Sequence, residues 1–388
     1  MNQDVLAMKF DFPTSWRHGR GLASKTGNLL KNLGCKTTLL VTDKLLVDLG
    51  VIEPVTTSLE AFDIAFTVCD AVTIEPTVAL FEDIVNKLDL NKFDSVVAVG
   101  GGSVIDVAKG LSIIAKFGGS IRDYAGHDKV PGHPDWKSIA IPTTSGTGSE
   151  VSEGTIFIDE SVQSKILVLS LKICPTIALT DPEMVKTMPP KVTVNSGIDA
   201  LVHAIESYTS IDASALTEPI SLKAIELISK GLVPAYRNGD DLDAREAMQI
   251  GATMAMVAGM NAHMGLCHSM AMPLCALYRM PHGQAVGMAL APVLAFNAEV
   301  VKEKVVTIFK VMGFIYEIGG GDVLAAECYE KLENFLKEID IDARLSDFGY
   351  QDQHLETIVK GTMNSVQRPF NPRKPSEEDI AEIVRRII

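Results

Sequence analysis

The sequence predicts an α/β domain with a mostly parallel sheet, followed by an all-helical domain. In the first half, short β-branched runs alternate with helical ones, a pattern typical of βαβ units and parallel sheets. Two loops rich in Gly, Thr and Ser each follow a predicted strand. Beyond Leu179–Pro190 almost every segment has the period of a helix. We therefore expect a dinucleotide-binding α/β domain over residues 1–185 and a helical metal-binding domain over residues 186–388.

The elements are predicted from the period of the hydrophobic residues and from the Gly, Pro and capping residues that flank each segment. The first-half strand candidates are Thr37–Thr42, Asp63–Cys69, Ser95–Val99 and Ser138–Ile141, and the helix candidates are Thr77–Leu88 and a run that ends at Phe117. The second-half helix candidates are Val192–Tyr208, Glu218–Lys230, Ala244–Met264, Gln284–Phe296, Asp322–Glu338 and Glu377–Ile387. The segment TDPEMVKTMPP, which contains three prolines, connects the halves.

Composition excludes several classes of function. The net charge of −14 argues against a general nucleic-acid binder, since neutralising phosphates needs clustered Lys and Arg. Six scattered cysteines without a C-x-x-C pair are typical of a reducing compartment. The N-terminal segment MNQDVLAMKFDF has no signal-peptide pattern, and no apolar window is long enough to span a bilayer. We therefore expect a cytoplasmic protein.

The first Gly-rich loop, Gly100-Gly101-Gly102-Ser103, directly follows a strand and opens a helix. Glycines allow backbone N–H groups to approach a phosphate, and a helix N-terminus favours negative charge. The loop is not a G-x-G-x-x-G fingerprint, because Ile occupies position 105. Alone it is equally typical of a tight turn. A second loop, Pro142–Ser149, ends another strand, and two such loops together favour a nucleotide site.

Asp43 follows an earlier strand. A carboxylate there could accept hydrogen bonds from both adenosine-ribose hydroxyls and would repel a 2′-phosphate, which favours NAD over NADP. An equal alternative is that Asp43 caps the helix Lys44–Leu49.

Asp199 and His203 lie four residues apart in a strongly helical run and so project from one face. Such a pair is more often a surface hydrogen bond, but apolar residues surround this one. His268 and, 14 residues later, His282 add two imidazoles from an apolar stretch. One carboxylate and three imidazoles suit Fe(II), with Zn as an alternative. We interpret the neighbouring Cys267, Cys275 and the many methionines as core residues.

Several motifs together resemble the iron-dependent (group III) alcohol dehydrogenases. They are GGGSVIDVAKG, IPTTSGTGSEV, DPEMVKTMPP, GIDALVHAIE and MPHG, and they follow the family's order over nearly the whole chain. The resemblance implies a Rossmann-like N-terminal domain with a helical C-terminal domain, the dehydroquinate synthase-like architecture. It also implies transfer of hydride between a nicotinamide cofactor and a short-chain alcohol or aldehyde, in a homo-oligomer.

The resemblance assigns roles to particular residues. It implies metal ligands at Asp199, His203, His268 and His282, all part of the catalytic site. It implies NAD contacts from Asp43, Gly101, Gly102, Ser103, Thr143, Thr144, Thr147 and Ser149, and a basic residue near the nicotinamide at Lys165.

Three positions depart from the family pattern. Met272 stands where a second His usually follows the third ligand, so another group or water must relay protons; His263 is a nearby candidate. Gly259 stands where Phe is common, which should open the pocket. Arg279 stands where Asn is typical, and an Arg there could bind an acidic group of the substrate, although a surface loop Arg is the plainer interpretation.

The sequence therefore predicts a metal-dependent, NAD(P)-linked alcohol dehydrogenase or aldehyde reductase, with small-molecule substrates and no nucleic-acid or membrane partner. Arg279 and Gly259 suggest an aldehyde with an acidic group, similar to succinic semialdehyde or sulfoacetaldehyde. The alternatives are a non-redox lyase resembling dehydroquinate synthase and a structural member whose site has decayed.

Overall fold

The computed structural model describes residues 9–161, 164–314 and 321–388, and every side chain in them except those at 164 and 321–323. The N-terminal segment in which we expect no signal peptide lies mostly outside these ranges. The described residues form two compact units, an α/β unit over Phe12–Met188 and a helical unit over Pro189–Ile388 that also includes residues 9–11. The sequence predicted a boundary between residues 185 and 186, and the structure has it between Met188 and Pro189.

The α/β unit contains two sheets. Its strands are β1 Ser15–His18, β2 Thr37–Val41, β3 Ala65–Cys69, β4 Ser95–Gly100, β5 Gly126–His127, β6 Lys137–Pro142, β7 Gly154–Asp159, β8 Ser164–Leu169 and β9 Ile177–Thr180. Its α-helices are α1 Thr26–Asn32, α2 Lys44–Asp48, α3 Glu53–Ala61, α4 Val78–Lys87 and α5 Gly102–Phe117.

The larger sheet has six parallel strands in the order β1-β9-β6-β4-β2-β3. Strand β4 is buried along its whole length, and apolar clusters cover both faces of the sheet. After β2 the chain moves outward to β3, and after β4 it moves the other way to β6. This reversal creates a switch point beside the carboxyl ends of β2 and β4, where open α/β sheets bind ligands.

The smaller sheet, in the order β5-β8-β7, was not predicted from the sequence. Strands β7 and β8 form an antiparallel pair that joins Gly154–Asp159 to Ser164–Leu169. One end of this pair is tied to the segment before α4, where Ile158 N donates to Pro76 O at 2.9 Å.

The helical unit packs its helices around one continuous apolar core. The helices are α6 Pro190–Thr209, α7 Thr217–Arg237, α8 Leu242–Ala262, α9 Leu266–Tyr278, α10 His282–Asn297, α11 Lys302–Val311, α12 Gly321–Glu338, α13 His354–Met363 and α14 Glu377–Arg385. Within the described ranges, no helix has both the length and the apolar character needed to cross a membrane.

Helices α6 and α10 approach each other very closely. A Cβ added at Gly283 would lie 1.8 Å from the backbone oxygen of Asn195, and one at Gly287 would lie 2.7 Å from Ile198. Only glycine permits this separation. The contact sets the first turn of α10 against the middle of α6.

Candidate metal centre and dinucleotide loops

Helix α6 presents Asp199 and His203 from the same face, as their spacing predicted. Each is only 5% exposed, and His203 Nε2 lies 3.8 Å from Asp199 Oδ1. Helix α6 begins with Pro190 at a position where the missing N–H is not needed. The pair is therefore a buried pair on a regular helix.

The other two imidazoles converge on the same carboxylate oxygen. His268, in the first turn of α9, places Nε2 3.6 Å from Asp199 Oδ1, and His282, the first residue of α10, places Nε2 at 3.5 Å. The rings of His203 and His268 are stacked, with centroids 4.7 Å apart. The structure thus brings together all four residues that the resemblance implied as ligands.

A divalent cation fits this cluster. Ligand atoms of Asp199, His268 and His282 all lie within 4.8 Å of one another. Among the described residues, Asp199 Oδ1 and His268 Nε2 are buried and have no hydrogen-bond partner. Buried polar atoms without partners are costly, and coordination to a metal would satisfy both.

The protonation states of the cluster follow from burial and mutual charge. Burial raises the pKa of Asp199, but the nearby His203, His282 and His268 outweigh it and hold the pKa below its usual range. Burial lowers the pKa of His203 to about 4. Burial also lowers the pKa of His268, but the adjacent carboxylates of Asp199 and Glu206 raise it to about 9. These shifts favour an anionic Asp199, a neutral His203 and a protonated His268.

Sequence reasoning missed Glu206. Its Oε2 lies 2.6 Å from His268 Nδ1, and the carboxylate also accepts from Gly265 N at 2.9 Å and Cys267 N at 2.5 Å. It therefore caps α9 and holds the His268 ring with Nε2 toward Asp199. Its spacing was a usable signal, because residues 199, 203 and 206 form one stripe on a helix.

Cys275 also contacts a candidate ligand. It is only partly buried, and its Sγ lies 3.9 Å from His282 Nδ1. The interpretation of Cys275 as a plain core residue is therefore incomplete, whereas Cys267 is indeed buried.

The expected effect of Gly259 is wrong. A Cβ at Gly259 would lie 2.2 Å from the terminal carbon of Met264. The space left by the missing side chain is thus filled by a neighbouring methionine, which is itself 7% exposed. Gly259 does not open a pocket.

The other positions that differ from the family pattern, and the candidate proton relay His263, lie at the protein surface. Met272 is 43% exposed. His263 ends α8 in a positive-φ conformation, and its ring stacks on Phe370 at a centroid distance of 4.0 Å, with Nε2 3.6 Å from Asp212 Oδ2. These neighbours lie outside the four-residue cluster. Arg279 is exposed in the connection from α9 to α10, also at positive φ.

In the α/β unit, the two Gly-rich loops pack against each other. Their strands β4 and β6 are neighbours, with Gly100 opposite Pro142. A Cβ at Gly101 would lie 3.3 Å from Thr144, and one at Gly102 would lie 3.0 Å from Thr147. The loops thus form one surface at the N-terminus of α5, which is the arrangement that anion binding requires.

Buried polar contacts fix the second loop to α5. Asp106 accepts from Ser149 Oγ at 2.6 Å, and Lys109 Nζ donates to Gly154 O at 2.8 Å. Lys109 is only 4% exposed, so this lysine is a structural group and not a surface charge. The Asp106 contact keeps Ser149 in position, and Thr143 is held by its own N–H, which donates to Gly100 O at 3.0 Å.

Asp43 and Lys165 have structural partners of their own. Asp43 caps α2, its Oδ1 accepting from Leu46 N at 2.9 Å, as the alternative interpretation proposed. It also lies beside the switch point, directly after β2. Lys165 Nζ lies 2.8 Å from Glu75 Oε1, a partner that sequence reasoning did not identify.

Two family models together match nearly the whole chain. A family model described as iron-containing alcohol dehydrogenase matches residues 13–182, and one described as the C-terminal part of the Fe-containing alcohol dehydrogenase family matches residues 193–388. The chain is 32% identical over 381 residues to the NAD-dependent methanol dehydrogenase of Bacillus methanolicus, covering 98% of this chain and 99% of that protein.

Solved structures show the same fold. The structure of a 1,3-propanediol oxidoreductase superposes with a TM-score of 0.93 at 31% identity, covering 98% of this chain and 100% of the other. The sulfoacetaldehyde reductase of Bifidobacterium kashiwanohense, solved with NAD+, gives 0.87 at 26% identity, covering 98% and 99%. The chain therefore belongs to the iron-containing alcohol dehydrogenase family and is an oxidoreductase of alcohols and aldehydes.

Proposed function

We propose that the chain reduces short aldehydes, and oxidises the corresponding alcohols, with NAD(H) and a divalent metal held by Asp199, His203, His268 and His282. The main support is the convergence of the ligand atoms of Asp199, His268 and His282 within 4.8 Å, in which the buried Asp199 Oδ1 and His268 Nε2 have no hydrogen-bond partner among the described residues. Three nitrogens and one oxygen suit Fe(II) first and Zn second. When bound, the ion supplies Lewis acidity toward the carbonyl oxygen of the substrate.

The chain's own residues orient the metal ligands and leave the proton to be supplied by water. Glu206 holds His268 in the tautomer that leaves Nε2 free for a ligand role. Met272 has no titratable group, so the proton that completes aldehyde reduction comes from water. Solvent reaches His282, whose side chain is 37% exposed.

The dinucleotide is assigned to the loops at the switch point. We infer pyrophosphate contacts from Gly101, Gly102 and Ser103, further contacts from Thr143, Thr144, Thr147 and Ser149, and a ribose contact from Asp43. The Asp43 cap uses Oδ1, which leaves Oδ2 for the ribose and favours NAD over NADP. When bound, the nicotinamide supplies the hydride.

For the substrate, we propose an aldehyde that bears an acidic group. Arg279 is an exposed cation three residues before His282, and a guanidinium binds carboxylate or sulfonate with two parallel hydrogen bonds. The similarity to a sulfoacetaldehyde reductase is compatible with this choice.

The test is an anaerobic NADH-oxidation screen of the protein loaded with Fe(II) or Zn, over aldehydes with and without acidic groups. We expect metal-dependent turnover that is lost when Asp199 and His268 are both replaced by Ala. Unchanged turnover in that double variant would overturn the metal assignment.

Arg279→Ala tests the substrate class. We expect kcat/KM to fall about tenfold for succinic semialdehyde or sulfoacetaldehyde and to change little for a neutral aldehyde, because only the acidic group loses a charged hydrogen bond. Arg385→Ala removes another exposed arginine, on α14, and serves as the control. An equal effect on neutral and acidic aldehydes would contradict this substrate class.

A further inference from the structure

The connection from β3 to α4 contacts the predicted phosphate-binding loop. Within it, Glu75 has a φ of 54°, a region that non-glycine residues rarely adopt. Its N–H donates to Ser103 Oγ at 3.2 Å. Ser103 is the second residue of α5, so Glu75 lies directly beside the N-terminus of that helix.

The Glu75 carboxylate holds a lysine beside the same loop. Lys165 Nζ lies 2.8 Å from Glu75 Oε1. Adding the two hydrogen bonds and the bonds of Glu75 between them, the ammonium lies within about 13 Å of the Ser103 hydroxyl. The Debye length is about 30 Å at 0.01 M salt and about 8 Å at physiological ionic strength, so at low salt both charges act on an anion bound there, and added salt screens them.

Lys165 can leave Glu75 for another anion. The side chains of Lys165 and Glu75 are 27% and 54% exposed, and exposed ion pairs contribute little free energy. A bound pyrophosphate carries two negative charges and would compete with Glu75 for the flexible lysine. The same pyrophosphate would be repelled by Glu75 if the lysine were absent.

We propose that the Glu75–Lys165 pair controls affinity for the dinucleotide, with Glu75 weakening and Lys165 strengthening the binding of its pyrophosphate. In the free protein the carboxylate neutralises the ammonium; on binding, the ammonium turns toward the phosphates. The proposal rests on the dinucleotide site proposed above and adds an acidic residue that opposes binding.

Loss of Glu75 and loss of Lys165 should change the affinity for the dinucleotide in opposite directions, which distinguishes this role from a purely structural one. If the pair only fixed the loop, loss of either partner would loosen Ser103 and weaken binding. If the pair acts through charge, the two losses have opposite effects. Glu75→Gln suits the test because it keeps the side-chain shape and the N–H that donates to Ser103.

The experiment measures the Kd of NADH, ADP-ribose and adenosine by fluorescence and calorimetry for the full-length protein. We expect Glu75→Gln to tighten binding of NADH and ADP-ribose about twofold to fivefold, and Lys165→Met to weaken it by a similar factor. The double variant should return close to the wild-type value. Adenosine, which has no phosphate, should be unaffected, and higher salt should shrink both shifts.

A matched control pair lies in the same unit. Lys172 and Asp128 are also 2.8 Å apart, with side chains 29% and 57% exposed, and Asp128 also has a φ of 54°. Lys172→Met and Asp128→Asn should leave all three Kd values unchanged. Equal changes in the control pair would mean that net charge alone is responsible and would overturn the proposal.

Two outcomes separate the proposals. If the wild-type protein binds neither NADH nor ADP-ribose, the dinucleotide site itself is wrong. If the wild type binds both but Glu75→Gln weakens or does not alter binding, the site stands and the role of the Glu75–Lys165 pair is refuted.

Discussion

Glu206 is a residue whose importance is visible only in its contacts. Its carboxylate accepts from two backbone N–H groups at the N-terminus of α9 and lies within hydrogen-bond distance of His268 Nδ1. We predict that Glu206→Gln weakens binding of Fe(II) or Zn about tenfold to a hundredfold, because the ring loses the charged partner that fixes its tautomer. Competition against a chelator measures the loss directly.

A control on a neighbouring helix is Glu226→Gln. Glu226 pairs with Lys223 and Lys230 on the surface of α7, so its replacement should leave the metal affinity unchanged. A Glu206→Gln protein that stays folded and binds metal as tightly as the wild type would show that Glu206 only caps α9.

The raised pKa of His268 makes metal binding dependent on pH. Its ordinary value of about 6.5 rises to about 9 in the protein without metal, so below pH 9 a second proton makes the ring an imidazolium. That proton stabilises the metal-free fold, and the stabilisation is lost as pH rises through about 9. Metal must displace it, so we predict affinity for Zn that increases about tenfold per pH unit up to about pH 9.

Calorimetry in buffers of different ionisation enthalpy should detect about one proton released per metal bound at neutral pH. Affinity that stays constant between about pH 7 and 9 would show that His268 is already neutral in the metal-free protein.

At the scale of elements, the contact of α10 with α6 positions His282 against Asp199. A Cβ at Gly283 would lie 1.8 Å from the backbone oxygen of Asn195, which cannot move alone. We predict that Gly283→Ala lowers stability by about 3 kcal/mol and abolishes tight metal binding, because α10 must move away from α6. Denaturant unfolding and metal titration measure the two effects.

Gly259→Ala is the matched control, another buried helical glycine. Its new Cβ would meet only the flexible end of Met264, and alanine favours helix formation. We expect a change of about 1 kcal/mol or less and normal metal binding. Equal losses in both variants would mean that the closeness of α10 to α6 is not what holds the site.

Elements whose apolar residues recur at a regular helix or strand spacing were predictable from the sequence, and elements without such a pattern were not. Strand β4 and helix α5 lie close to their expected limits because an apolar run is interrupted by three glycines. Helix α9 was missed because Pro273 lies in its interior and its apolar residues lack a regular polar face. The pairing of β7 with β8 depends on partners distant from any local pattern.

At the scale of the whole molecule, the proposed metal and dinucleotide sites belong to separate compact units with separate cores. We predict that Asp199→Ala abolishes the rise in Tm caused by metal but keeps the rise caused by NADH. Ligand at about 100 times Kd stabilises by about 2.7 kcal/mol, which thermal unfolding detects easily. Loss of both shifts in a folded variant would show that the sites are energetically inseparable.

The sequence by itself determined the parallel α/β first half, the helical second half, and the pair Asp199 and His203, since each depends on spacing along one element. It also determined the family, through motifs in a particular order. Only the tertiary structure decided that Glu206 holds His268, that Met264 fills the space beside Gly259, and that Glu75 pairs with Lys165. These contacts join residues far apart in the chain, and local period and propensity carry no information about such distances.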